Sequence, residues 1–238
     1  MTPALRAELG RLLALHETRH VPAEETDHRA AVVLLLRDAA GSRADASGSR
    51  ADAAGSRALD ELEALFVRRA EVEGDPWSGH MALPGGRHSP PDEDLAVTAL
   101  RELREETSLD PGRDALLGRL DEIHPRSRRL PSIAVTPFVG WTEPEVTVVE
   151  NAELAGHVWV PVRTLRAPEH RSTLRLERRG AVRVFPTVEY EGRTIWGLTF
   201  RIVQEFLEVL DGGEGGASRG RADAGGPAPG AAGGGSRG

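Results

Sequence analysis

Three glutamates, Glu102, Glu105 and Glu106, sit in the short run Arg101-Glu102-Leu103-Arg104-Glu105-Glu106. On a helix, at about 100° per residue, they share an arc of roughly 100°. Carboxylates crowded on one face repel each other unless a positive charge lies among them. Mg²⁺ is a hard cation that prefers oxygen ligands, and it binds through a few carboxylates together with substrate phosphates. The chemistry suggested is therefore metal-assisted work on a phosphate. Read alone, the same run also fits a solvated helix face, whose i,i+4 ion pairs are worth only a few tenths of a kcal/mol each.

The rest of the composition narrows the choice. All 30 basic residues are Arg, and there is no Cys. A Lys nucleophile, a Schiff base, a P-loop lysine, a thiolate metal site and a disulfide are all excluded. Any basic side chain that clamps a phosphate must be Arg, which meets phosphate oxygens bidentately. The formal net charge of -7 argues against nucleic-acid binding by bulk charge. The longest apolar run, Ala30 to Leu36, is far shorter than the roughly 20 residues a membrane helix needs. The N-terminus has charges where a signal peptide needs an apolar core. A cytoplasmic protein without membrane contact is expected.

The elements that must position the glutamates follow from periodicity. The spacing predicts a helix over Asp94 to Thr107, with Ala96, Ala99, Leu100 and Leu103 as its buried stripe. Asp92, Glu93 and Asp94 suit its N-terminal dipole, and Pro91 its first turn. Glu93 could support a metal site from that end. Thr2 to Glu17 carries Leu5, Leu9, Leu12 and Leu13 at helical spacing and reads as a short docking helix. Strands are expected at Ala30 to Arg37, Ala64 to Arg69 and Met81 to Leu83. Further strands are expected at Leu116 to Ile123, Ile133 to Trp141, His157 to Val160, Arg175 to Arg178 and Val182 to Tyr190. A last helix is expected from Thr194 to Leu210, with Ile195, Leu198, Ile202, Phe206 and Val209 inward. This order fits an α/β fold, a mixed sheet between helices.

Two stretches stand apart. Residues 41–57 read GSRADAS, GSRADAA, GSR, a repeated seven-residue unit, and fit an expanded loop tip, which costs only about 0.6 kcal/mol per doubling of length. Residues 212–238 are rich in Gly, Ala and Arg and read as a disordered tail. The expected organisation is an N-terminal helix and connection at 1–28, a catalytic domain at 29–211 and the tail.

The segment from Leu83 to Leu109 resembles the Nudix box, G-x5-E-x7-R-E-U-x-E-E-x-G-U with U aliphatic. Glu93, Arg101, Glu102, Leu103, Glu105, Glu106 and Leu109 match the pattern. Six residues rather than five separate Gly86 from Glu93, and Ser108 stands where the pattern has Gly. The approach GDPWSGHMALPGGR from Gly74 and the segment from Phe185 to Ile202 are similar to the coenzyme A pyrophosphatase subgroup. That subgroup's usual Arg-Ser pair and Leu-Arg-x-His run have no good counterpart between Arg68 and Trp77.

The resemblance implies a Nudix-type α/β/α sandwich and hydrolysis of a P–O–P bond in a nucleoside diphosphate derivative. It implies Mg²⁺ or Mn²⁺ held by Glu102, Glu105 and Glu106. A box glutamate, Glu105 or Glu106, or the distant Glu153 would act as base, and Arg101 would orient a box carboxylate. Arg69, Arg87, Gly85 and Gly86 would meet a small-molecule nucleotide substrate. Coenzyme A or an acyl-CoA, ADP-ribose or another nucleotide sugar, and a non-catalytic nucleotide-binding role stay open as alternatives. A homodimer is compatible with all of them. Trp77 could stack on adenine, Trp196 reads as core, and His80 and His88 as incidental. The run Arg126-Ser127-Arg128-Arg129 could meet a 3′-phosphate.

Overall fold

The computed structural model describes residues 1–39, 58–72, 79–125, 132–178 and 181–212. The repeat at 41–57, the turn with Trp77, the basic run 126–129 and the tail beyond Gly212 lie outside these residues.

The chain opens with α1 (Pro3–Leu15), capped by Thr2, whose hydroxyl accepts from the Leu5 amide. Then come β1 (His28–Asp38), β2 (Leu62–Arg69), β3 (Met81–Ala82) and β4 (Gly85–Arg87). Next are α2 (Leu95–Thr107), β5 (Leu116–Arg119), β6 (Ile133–Trp141) and β7 (Leu154–Pro161). A short α3 (Val162–Arg166) leads to β8 (Arg171–Arg178), β9 (Ala181–Tyr190), β10 (Arg193–Trp196) and α4 (Gly197–Leu210). The main sheet has seven strands in the order β3-β2-β1-β6-β5, with β4 added on β1 and β7 on β2. It is mixed, because β1 and β6 run parallel while their other neighbours are antiparallel. Strands β8, β9 and β10 form a separate antiparallel sheet.

Alternation along β1 explains the layering. Successive strand side chains point to opposite faces. Ala31, Val33 and Leu35 pack with Ala99 and Leu103 of α2 on one face. Leu34 and Leu36 join Leu9 and Leu13 of α1 and Ile202 and Phe206 of α4 on the other. Helices thus cover both faces of the mixed sheet, an α/β/α sandwich. Each of these side chains is nearly or fully buried, worth roughly 1.5–3 kcal/mol apiece for the larger ones. Gly118 lets α1 come close, since a Cβ there would lie 2.7 Å from the Leu13 Cβ. No helix among the described residues is long and apolar enough to cross a membrane.

Several expected boundaries move. The strand expected at Leu116 to Ile123 ends at Arg119, and Ile123 returns only as a bridge to Val135. The Leu120 amide still donates to the Pro137 carbonyl of β6 at 2.9 Å, but the next two amides turn elsewhere, that of Asp121 to Glu205 and that of Glu122 to the Arg19 carbonyl. The helix expected from Thr194 begins at Gly197 instead. Thr194, Ile195 and Trp196 pair with Glu189, Val188 and Thr187 as the closing strand of a hairpin. Strands β7 and β8 begin earlier than the periodicity suggests, at Leu154 and Arg171. In α2 the first helical residue is Leu95, with Pro91 and Glu93 outside it. Leu100 is only half-buried, and Leu198 likewise.

Candidate active site

Helix α2 is built to hold its charged face still. Asp94 caps it, accepting from the Val97 amide at 2.9 Å and pairing with Arg113 at 2.6 Å. Such a cap is worth about 1 kcal/mol. The apolar stripe of Ala96, Ala99 and Leu103 fixes the helix on the sheet. At its far end Ser108 takes the left-handed conformation, φ 60°, and closes the helix through its amide on the Arg104 carbonyl at 2.9 Å.

The rotation set by that packing places the three glutamates differently. Glu106 is buried, Glu102 is half-buried and Glu105 faces solvent. Strand β4 meets the first two with main chain. The Gly85 amide donates to Glu106 Oε2 at 3.0 Å. At Gly86 a Cβ would lie 2.4 Å from the Glu102 carboxyl carbon. Only glycine therefore allows this approach. At Gly85 the backbone itself, φ 153°, requires glycine, and a Cβ would lie 2.2 Å from the Ala31 carbonyl oxygen.

Arg101 ties the cluster together. Its Nη1 donates to Glu102 Oε1 at 2.9 Å and Glu105 Oε2 at 3.0 Å. Its Nε and Nη2 donate to the two oxygens of Asp92 at 3.0 and 2.9 Å. Nη2 also reaches the Arg87 carbonyl at 3.2 Å. Asp92 in turn accepts from the Thr98 hydroxyl at 2.9 Å, and His88 Nδ1 meets the same hydroxyl at 2.8 Å.

Electrostatics follow the geometry. The Arg101 guanidinium holds the Asp92 carboxyl down at about 2. Burial raises Glu102 despite its Arg101 partner, and Glu105 and Glu153 add repulsion. Burial pushes Glu106 up to about 7; the Gly85 amide and Arg69 oppose the shift, while Glu102 and Glu153 add to it. Two carboxylates that resist ionisation beside a third are a donor set short of positive charge. Oxygen donors with that deficit suit a hard divalent cation.

Glu153 joins from a distant loop. The Asn151 amide donates to the Glu106 carbonyl at 3.2 Å, and the Val149 amide to the Thr107 carbonyl at 2.9 Å. The Glu153 carbonyl accepts from the Ala70 amide at 2.8 Å, and its amide donates to Asn151 Oδ1 at 2.9 Å. The loop is thus sewn to the end of α2 on one side and to the end of β2 on the other.

Of the residues singled out in the sequence, the structure groups Glu102, Glu105, Glu106, Arg101, Glu153, Arg69, Gly85 and Gly86. Arg87 contributes its carbonyl to Arg101, and its side chain is exposed. Glu93 is also exposed and makes no part of the cluster; Asp92 holds Arg101 instead. The signal for Asp92 was present, since it follows Gly86 at the pattern's own spacing of five intervening residues. The extra residue therefore lies after the acid, not before it. Trp196 is half-buried at the end of β10, edge-on to His80 at 4.7 Å and to Phe185 at 5.5 Å.

The fold is a mixed sheet between helices, with a glutamate-bearing helix held against a Gly-Gly strand. The NUDIX domain profile matches residues 49–179, and the chain belongs to the Nudix family. Uncharacterized Nudix hydrolase NudL of Yersinia pestis (strain Pestoides F) is 30% identical over 134 residues, 56% of this chain and 65% of that protein. The same protein from Yersinia pseudotuberculosis serotype O:3 (strain YPIII) matches equally. The chain thus spans just under two-thirds of the curated relatives it matches. Among solved structures, a MutT/nudix family protein from Enterococcus faecalis is 18% identical with a TM-score of 0.47, covering 86% of this chain and 69% of that one.

Proposed function

We propose that this chain hydrolyses the diphosphate of a nucleoside diphosphate derivative, with coenzyme A or an acyl-CoA as the leading substrate. The observation that carries the reading is the convergence of Glu102, Glu105, Glu106 and Glu153 around glycine main chain, with Arg101 locked by Asp92. Mg²⁺ or Mn²⁺ held by Glu102, Glu105 and Glu106 would neutralise the diphosphate and lower the cost of generating hydroxide. Arg101 fixes the orientation of Glu102 and Glu105. Glu153 or a box glutamate takes the proton of the attacking water as its oxygen bonds to phosphorus, and the bridging P–O bond breaks toward the departing phosphate. Arg69, close enough to oppose the rise of Glu106, supplies positive charge for the phosphate oxygens.

The coenzyme A assignment is supported by the likeness of the segments from Gly74 and from Phe185. The departure between Arg68 and Trp77 supports a second reading, ADP-ribose or another nucleotide sugar as substrate. A substrate panel with products identified by mass tests both. Release of 4′-phosphopantetheine and 3′,5′-adenosine diphosphate is expected from coenzyme A. AMP with a sugar phosphate would select the second reading. Inertness of the Mg²⁺- and Mn²⁺-loaded protein toward the whole panel, matched by a Glu105→Gln variant, would leave a non-catalytic binding role.

A further inference from the structure

A second cluster lies on the α1 and α4 side of the sheet, opposite the face that carries α2. His16 follows α1, Asp121 follows β5, and Glu205 lies on α4. His16 Nε2 stands 3.0 Å from Asp121 Oδ1 and 3.1 Å from Glu205 Oε1. Asp121 is 7% exposed and Glu205 9%. A single ring nitrogen offers one hydrogen or one lone pair. One hydrogen there is shared between two carboxylate oxygens, whereas a bound cation would meet the nitrogen lone pair and both oxygens together.

We propose that His16, Asp121 and Glu205 form a second divalent-cation site, which fastens the N-terminal segment to the body of the domain.

The geometry is nearly that of a coordination shell. Ligands about 2.0–2.1 Å from a tetrahedral ion lie about 3.3 Å from one another. The two distances to Nε2 are close to such edges, and one ligand atom from each residue falls within 4.8 Å of the others. Both oxygens can ligate without losing their backbone partners. Asp121 Oδ1 accepts from the Arg19 amide at 3.0 Å, and Glu205 Oε1 from the Asp121 amide at 2.6 Å. A carboxylate oxygen has two lone pairs, so an amide hydrogen bond and a metal bond are compatible at the same oxygen. These amides also hold the oxygens in place before any ion arrives.

Arg19 pairs with Asp121 Oδ2 at 2.7 Å through a side chain that is 65% exposed. A cavity of about 390 Å³ opens beside the cluster, lined by Asp121, Gln204, Glu205 and Glu208 among others. The cavity gives water a route to complete the coordination. One imidazole with two carboxylates suits Zn²⁺, Co²⁺ or Mn²⁺ better than Mg²⁺. The role is structural, because the three ligands come from three separate elements.

The test removes the box ligands first, with Glu102→Gln, Glu105→Gln and Glu106→Gln together in the full chain. Zn²⁺ and Co²⁺ are then titrated by calorimetry and by thermal melting, with Co²⁺ also followed by its visible absorption. One saturable site and a rise in Tm of several degrees are expected. His16→Gln added to that background should weaken binding at least 10-fold and abolish the cobalt bands. Glu205→Gln provides an independent check should the histidine variant fold poorly. No binding to the box-free protein, or binding unchanged by His16→Gln and Glu205→Gln, would overturn the site.

Discussion

Asp92 and Arg101 meet in a two-point ion pair, Oδ1 accepting from Nε at 3.0 Å and Oδ2 from Nη2 at 2.9 Å. The Asp92 side chain is 3% exposed and that of Arg101 23%, so the pair is shielded from water. It fixes the guanidinium whose third nitrogen bridges Glu102 and Glu105. Asp92→Asn keeps the shape and removes the charge. A loss of roughly 1–3 kcal/mol in urea unfolding is expected, with a fall of kcat/KM by about 10-fold or more. The stability gap should depend on pH. The Asp92 carboxyl sits at about 2, below its ordinary value, so its contribution is full above pH 5 and fades as pH falls toward 2. Urea midpoints of the wild type and variant across that range check it.

Glu106 carries the opposite sign. Its folded-state value of about 7 lies above the ordinary value, so between these the folded protein binds more protons than the unfolded chain. Without metal, stability should therefore fall as pH rises from about 4.5 to about 7. Glu106→Gln should be more stable than wild type at pH 8 by on the order of 2 kcal/mol in EDTA, and no more stable at pH 4. Saturating Mg²⁺ should reverse the order by stabilising only the wild type. Activity of the variant should drop by roughly 100-fold or more.

The two glycines of β4 should respond differently to alanine. A methyl group at Gly86 meets the flexible end of Glu102, at 2.4 Å from its carboxyl carbon. That end can swing aside, so Gly86→Ala should fold with a loss of under about 1 kcal/mol while kcat falls at least 10-fold. At Gly85 the obstacle is the main chain of β1, at 2.2 Å, in a positive-φ conformation. Gly85→Ala should cost more than about 2 kcal/mol. Denaturant melts beside initial rates separate the two.

Ser108 holds a helix-ending position that favours glycine, φ 60°. Ser108→Gly should raise stability by roughly 0.5–1 kcal/mol, offset in part by the lost hydroxyl contact with the Val149 carbonyl at 3.3 Å. Equilibrium unfolding checks this, and unchanged steady-state kinetics are expected.

What was legible in the sequence was whatever had a short period or a fixed spacing. The stripe of Ala96, Ala99 and Leu103 gave α2, and the apolar run of β1 gave the central strand. The box placed Glu102, Glu105 and Glu106 on one helix. Less legible were features settled by partners far along the chain. Ile195, Leu198 and Ile202 keep a helical spacing that hides the strand at Thr194 to Trp196. The turn before it, Glu191-Gly192, takes positive φ at both residues without the usual Asn-Gly or Asp-Gly signal. Strand β5 stops where Glu205, remote in sequence, takes the Asp121 amide. The role of Asp92 is hidden because eight residues rather than seven separate it from Arg101, so the pattern's spacing counted back from Arg101 falls on Glu93. No local spacing links His16, Asp121 and Glu205, which only tertiary packing joins.

The hydrogen bonds from Val149 and Asn151 to the last carbonyls of α2 have a practical meaning. Fraying of the helix end and departure of Glu153 from the carboxylates become one event. The amide protons of Val149 and Asn151 are then natural reporters. Their exchange with deuterated solvent measures how often the site comes apart, with no substrate present and no turnover needed.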